Sequence, residues 1–205
     1  MKIFFRLILV FLILLVVGII AEFIYNIPSH SFNAFRYYTL YGGGDRCLKK
    51  LEEQTKDFIS LGTFERGHCR VKNAVRISSF NNTELSGDLT LSCPTAVEVG
   101  EYFNDIKASY VEHMGTYNCR TIANSKIMSE HSYGTAIDIS SIDGANVKLD
   151  WSKDNEKGKI LSNAYKVACN YFSNVLTPDS DRAHHDHFHF DNGWGAKCNL
   201  KWIIE

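Results

Sequence analysis

Hydrophobic and polar positions change period several times along the chain, and each change predicts an element. Leu7 to Ala21 carries no charge, and Phe23, Ile24, Tyr25 and Ile27 follow, predicting one N-terminal transmembrane helix. Leu48, Leu51, Phe58 and Leu61 fall at helical offsets, predicting an amphipathic helix over 46–61 that stops at Gly62. Val71, Val75 and Ile77 predict a strand. A second helix opens at Ser92 with Pro94 in its first turn and presents Val97, Tyr102, Phe103, Ile106, Tyr110 and Val111 before Gly115. Tyr117 to Ile122 follows, and then Thr135–Ser141 and Val147–Trp151 flank Asp143-Gly144, a hairpin turn signal. Ile160, Leu161, Ala164, Val167, Ala168, Tyr171 and Phe172 predict a helix over about 156–176, ended by Pro178. Asp186–Asp191 reads as a short strand. This order implies an α+β fold, a small, mainly antiparallel sheet with helices packed on it.

The N-terminus sets the compartment. Lys2 and Arg6 precede the apolar run and no basic residue closely follows it, which predicts a cytoplasmic start and an exported remainder. Ile19-Ile20-Ala21 is a poor cleavage site, so residues 1–27 read as an uncleaved anchor in preference to a signal segment. Residues 28–44, with Pro28 and Gly42-Gly43-Gly44, read as a tether, and 45–205 as one compact domain. Cys47, Cys69, Cys93, Cys119, Cys169 and Cys198 are even in number and lack a C-x-x-C pair, which favours disulfides over a thiolate metal site, with the pairing open. A net charge of −1 and no Lys/Arg block remove the footprint of a nucleic-acid binder.

Chemistry concentrates at His131, Asp138 and the segment His184–Asp191. Strand alternation puts His187, His189 and Asp191 on one face and Phe188 and Phe190 on the other. The same rule lets Asp138 face them, since Ile137 and Ile139 point to the core, while Gly134 permits the turn that brings His131 round. His131, Asp138 and His189 would then hold Zn²⁺ with one position left open, the arrangement of zinc hydrolases. His187 is placed to manage a proton or an oxyanion, with His184 beside it, whereas Glu130 is expected to point away from His131. Two plainer readings compete: a solvated, metal-scavenging His tract, and a buried ion pair between Asp138 and a residue such as Arg120.

At these residues the chain resembles the bacterial extensin-like C-terminal domain family, related to LAS-type zinc peptidases that include D,D-carboxypeptidases and the penicillin-insensitive murein endopeptidase. The resemblance lies in Tyr117-Asn118-Cys119-Arg120, Ser129-Glu130-His131 with Gly134 and Ala136-Ile137-Asp138, Ala168-Cys169-Asn170-Tyr171-Phe172, Val175-Leu176, and His184–Asp191. It implies zinc on His131, Asp138 and His189, catalysis by His187 with His184 near the metal, and a substrate carboxylate held by Arg120. Carboxypeptidase relatives carry a Glu base just before the last ligand. Here that stretch is Asp186-His187-Phe188-His189, which favours the endopeptidase-like arrangement. Three prolines and no Ser-Pro repeat give no support to a role in extensin. The resulting expectation is a zinc amidohydrolase, anchored in a bacterial inner membrane and facing the periplasm, that cleaves peptide bonds in peptidoglycan stem peptides or cross-links. The alternative is a non-catalytic wall-binding or scaffolding domain with a structural metal.

Overall fold

The computed structural model describes residues 12, 15–17 and 44–193. The expected anchor, apart from those few helical positions, the tether up to residue 43 and Cys198 lie outside the described residues. Among the described residues no helix is long and apolar enough to cross a membrane.

Helix α1 (Gly44–Glu52) leads into strands β1 (Phe58–Arg66), β2 (Cys69–Phe80) and β3 (Thr83–Ser92), then α2 (Cys93–Asp105) and β4 (Tyr110–Gly115). After a long loop and a 3-10 turn (Glu130–Tyr133) come β5 (Ala136–Ile142), β6 (Ala145–Asn146), α3 (Val147–Asp150), α4 (Glu156–Ala168), β7 (Asn174–Leu176), a second 3-10 turn (Arg182–His184) and β8 (Phe188–Asp191). The strands form one sheet in the order β1-β2-β3-β4-β5-β8-β7, with β6 added to β5. Every pairing is antiparallel except β3 with β4. The expected α+β class holds, with eight strands in the sheet.

Several expected helices are shorter, for local reasons. The first stops at Glu52 because Thr55 turns the chain: its hydroxyl donates to the Ser79 carbonyl and accepts from the Asp57 N–H, which launches β1. Gly62 is therefore no helix stop but lies between register shifts inside β1, at φ +63°. The second helix ends at Asp105, where Lys107 takes a left-handed conformation (φ 56°), and Tyr110 and Val111 belong to β4. The third ends at Ala168; Phe172 stays buried, but Val175 and Leu176 are claimed by pairing with β8. Val147–Trp151 is not a strand. Asn146 caps it as a short helix, its side chain accepting from Leu149 N–H while its own N–H donates to Asp150. The hairpin at Asp143-Gly144 does form, both residues at positive φ. Tyr117–Ile122 contributes only an isolated bridge between Thr121 and Met128.

The helices bury one face of the sheet. Phe188 and Phe190 stack there, Tyr102 meets Phe190 edge-on, and the Tyr102 hydroxyl donates to the Ala164 carbonyl of α4. Two disulfides tie the periphery: Cys47–Cys93 joins α1 to α2, and Cys69–Cys119 joins β2 to the loop before the first 3-10 turn. Cys169 is also disulfide-bonded.

Candidate metal centre

Three elements deliver the predicted ligands. Asp138 on β5 lies directly opposite His189 on β8 in the antiparallel register, so the two side chains are cross-strand neighbours on the face away from Phe188 and Phe190. His131 sits on the first 3-10 turn, which Gly134 folds back at φ +65° while its carbonyl accepts from Ser92 N–H. A Cβ at position 134 would lie 2.9 Å from Ser92 N and 3.0 Å from Val71 Cγ1. Gly134→Ala is therefore expected to cost about 1–3 kcal/mol, read as a lower denaturation midpoint, and to weaken metal binding by displacing His131.

The donor atoms converge. His131 Nε2 is 3.1 Å from Asp138 Oδ2 and 3.2 Å from His189 Nδ1, which is 2.8 Å from Asp138 Oδ1. Both imidazoles are anchored by their outer nitrogens. His131 Nδ1 donates to the Thr116 carbonyl oxygen, and His189 Nε2 donates to Asp191 Oδ2 at 2.8 Å. A neutral imidazole carries one N–H, and in each ring these partners claim it. The inward nitrogens are then bare lone pairs facing a carboxylate, and three acceptors in contact require a shared cation, a proton or a metal. Outer-nitrogen acceptors of this kind are what orient metal-binding histidines.

The electrostatics agree. Burial would raise the Asp138 carboxyl, but hydrogen bonds from His131 and His189 hold it well below the ordinary carboxylate range. Burial works against the charged form of His189, yet its bonds to Asp138 and Asp191 prevail and raise the imidazole to about 9. Asp191 is held low in spite of burial, first by His189, with Asn174 Nδ2 (2.7 Å) and Gly193 N–H (2.8 Å) donating to its Oδ1. In the metal-free chain a folded value above the unfolded 6.5 stabilises the fold fully below about 6.5, and that contribution is lost as pH rises through about 9. Asp138 acts oppositely: its contribution is present above the ordinary carboxylate value and is lost as pH falls through its depressed one. Chelator-treated protein should therefore lose thermal stability between about pH 7 and pH 9, and zinc should restore more of it at the alkaline end, where no proton competes for His189.

The flanking histidines are ordered too. His187 Nδ1 donates to Asp186 Oδ1 at 2.8 Å, leaving Nε2 directed toward the cluster, 3.7 Å from Asp138 Oδ1. His184 Nδ1 donates to Asp181 Oδ1 at 2.7 Å, and its ring lies 5.3 Å from that of His187 and 5.4 Å from that of His189, between centroids. Burial lowers His184 more than Asp181 raises it, and the two neighbouring imidazoles add to the depression. Arg120 is exposed and, among the described residues, makes no ion pair; its backbone N–H and carbonyl are both bonded to the Ser132 hydroxyl, next to His131. The buried pair between Asp138 and Arg120 is thus not formed, and imidazoles are the partners of Asp138. Glu130 accepts from the Thr135 hydroxyl at 2.6 Å and packs over Gly193; burial raises its carboxyl more than the Thr135 bond lowers it. A second group, His68 with Cys69 and Cys119, offers no thiolate because the two cysteines are bonded to each other.

Strand alternation sets Asp191 on the face of His187 and His189 without a task, and Thr116, Asn174, Asp181 and the anchoring part of Asp186 emerge only in the fold. The i, i+2 spacing of His189 and Asp191 is a signal for such an anchor; the Thr116 carbonyl leaves none, being backbone. Removing the anchor with Asp191→Ala should lower metal affinity about 10–100-fold, measured by competition with a chromophoric chelator.

His131, Asp138 and His189 can place one donor atom each within 4.8 Å of one another. Two imidazole nitrogens and a carboxylate suit Zn²⁺ and also Fe²⁺. No curated protein and no solved structure matches the chain. The family profile described as extensin-like protein C-terminus matches residues 45–199, a span that runs from α1 past β8 and takes in the whole cluster. The chain belongs to the extensin-like protein C-terminus family.

Proposed function

We propose that the protein is a zinc-dependent amidohydrolase of the cell wall, cleaving peptide bonds in peptidoglycan stem peptides or cross-links, with chemistry akin to that of LAS-type zinc peptidases. The observation that carries this reading is the convergence of three lone-pair donors whose outer nitrogens are both anchored, with a further oriented imidazole, His187, beside them. His131, Asp138 and His189 would hold the ion. Zinc is favoured over ferrous iron because the domain reads as exported to an oxidising side, where Zn²⁺ has no redox chemistry. When bound, Zn²⁺ supplies Lewis-acid chemistry, polarising a carbonyl and making water acidic at neutral pH.

The chain's own residues supply the rest. His187, with its Nδ1–H committed to Asp186, offers Nε2 to accept a proton from the attacking water and return it to the leaving amine. His184, its Nδ1–H held by Asp181, offers the bare Nε2 of a second imidazole beside His187, an acceptor for a proton of the water or of a substrate amide. Arg120, exposed and without an ion pair among the described residues, is suited to a substrate carboxylate. The inner-membrane anchor, with the domain in the periplasm, belongs to the same proposal and puts the wall within reach. Incubation of purified sacculi with the zinc-loaded full chain, followed by separation of released muropeptides, tests the activity: new peptide-bond cleavage products are expected, and an unchanged profile would overturn it. The alternative of a wall-binding domain with a structural metal predicts binding to sacculi without cleavage, and zinc loss when His187 is removed as a fourth ligand.

A further inference from the structure

Across β8 from the imidazoles lies a cavity of about 320 Å³ that contains none of the residues so far discussed as ligand or catalyst. One stripe of α4 forms much of its wall, since Lys159, Ser162, Tyr165 and Lys166 recur at helical spacing. Trp151 faces them. Its indole meets Tyr165 edge-on at 5.9 Å and Phe188 at 5.1 Å, and its N–H donates to Asp179 at 2.8 Å, so the aromatic side is rigidly built. Ser152, also on the wall, holds a left-handed conformation (φ 61°) unusual for a serine. The lysines are exposed, Lys159 has only a 4.0 Å pair with Glu156, and Lys166 has no ion pair among the described residues. One of the two carboxylates on the wall, Asp179, is already engaged by the indole.

We propose that this cavity is a second binding site, for the carboxylate-bearing end of a wall peptide, and that it holds the domain on its substrate without presenting a scissile bond. The proposal rests on the peptidoglycan reading for the identity of the ligand. Ammonium groups above an aromatic floor recognise a carboxylate on a short apolar body. The volume lies at the low end of small-ligand sites, which suits one or two amino-acid residues and is too small for a glycan strand. The two sites are back to back: Phe188, which touches Trp151, sits between His187 and His189 in sequence and points to the opposite face. They also share a segment, because Thr177 and Asp179 line the cavity while His184 follows on the same stretch leading to β8.

The test is calorimetric titration of the full chain carrying His187→Ala, which slows turnover, with three probes: purified disaccharide-tetrapeptide, the free tetrapeptide, and the peptide-free disaccharide. Binding of the first two and not the third is expected. Lys159→Glu with Lys166→Glu, at exposed positions, should weaken it at least about 10-fold, and Ser162→Trp, which fills the cavity, should do the same. Adding a zinc chelator should leave it unchanged. Equal affinity in the lysine variant, loss of binding on zinc chelation, or binding of the peptide-free disaccharide as tight as that of the whole muropeptide would each overturn the proposal. Tetrapeptide binding that persists while sacculi stay uncut would sink the hydrolase reading and leave this site standing.

Discussion

His187→Ala is expected to slow release of muropeptides from sacculi by about 10²–10⁴-fold, the usual contribution of a positioned general acid–base, while the chain keeps its zinc. The loss corresponds to about 3–5 kcal/mol of transition-state stabilisation. The separation of the two readouts follows from geometry. His131, Asp138 and His189 touch one another at 2.8–3.2 Å, whereas His187 Nε2 comes no nearer than 3.7 Å to Asp138 Oδ1 and has its other nitrogen committed to Asp186. It belongs beside the ligand set. Metal content by plasma mass spectrometry alongside the digestion profile checks both halves; concurrent loss of zinc would make His187 a ligand and favour the structural-metal alternative.

His189→Ala should reduce bound zinc from about one ion per chain to near none, with an affinity loss beyond the ~10–100-fold that removal of an outer anchor alone brings. His189 is the hub of the cluster: Nδ1 contacts both Asp138 and His131, and Nε2 reaches Asp191. Its removal leaves the half-buried carboxylate of Asp138 and the buried one of Asp191 short of a donor, so the variant should also unfold more readily. Thermal unfolding with and without zinc separates the effects. At a free concentration about 100 times its dissociation constant, zinc adds about 2.7 kcal/mol to the wild-type chain and nothing comparable to the variant. His185→Ala serves as the contrast, because His185 is exposed and its only ion pair among the described residues is with Asp186 at 3.6 Å. A scavenging His tract would respond to both substitutions alike.

The convergence of His131, Asp138 and His189 was legible in sequence because it rests on two short-range rules. Alternation along β8 fixes His187 and His189 opposite Phe188 and Phe190, and an apolar Ala136-Ile137-Asp138-Ile139 run marks a carboxylate that must find a partner. The fold class followed from element order. Element boundaries failed where tertiary pairing overrode a helical period: Tyr110 and Val111 continue the apolar face of α2 yet pair with Glu84 and Leu85, and Val175 and Leu176 continue that of α4 yet pair with β8. The anchors of the imidazoles were hidden for another reason. A backbone carbonyl such as that of Thr116 leaves no trace in residue type, and Asn174 reaches Asp191 only because β7 adds to the sheet edge.

X-ray absorption at the zinc edge of the purified full chain tests the central claim most directly, because it reads the atoms around the ion. Scattering from two imidazole rings and a light carboxylate donor is predicted, without sulfur, with a zinc edge that all but disappears in His189→Ala. Sulfur scattering, or a zinc signal without imidazole, would contradict a centre built from His131, Asp138 and His189.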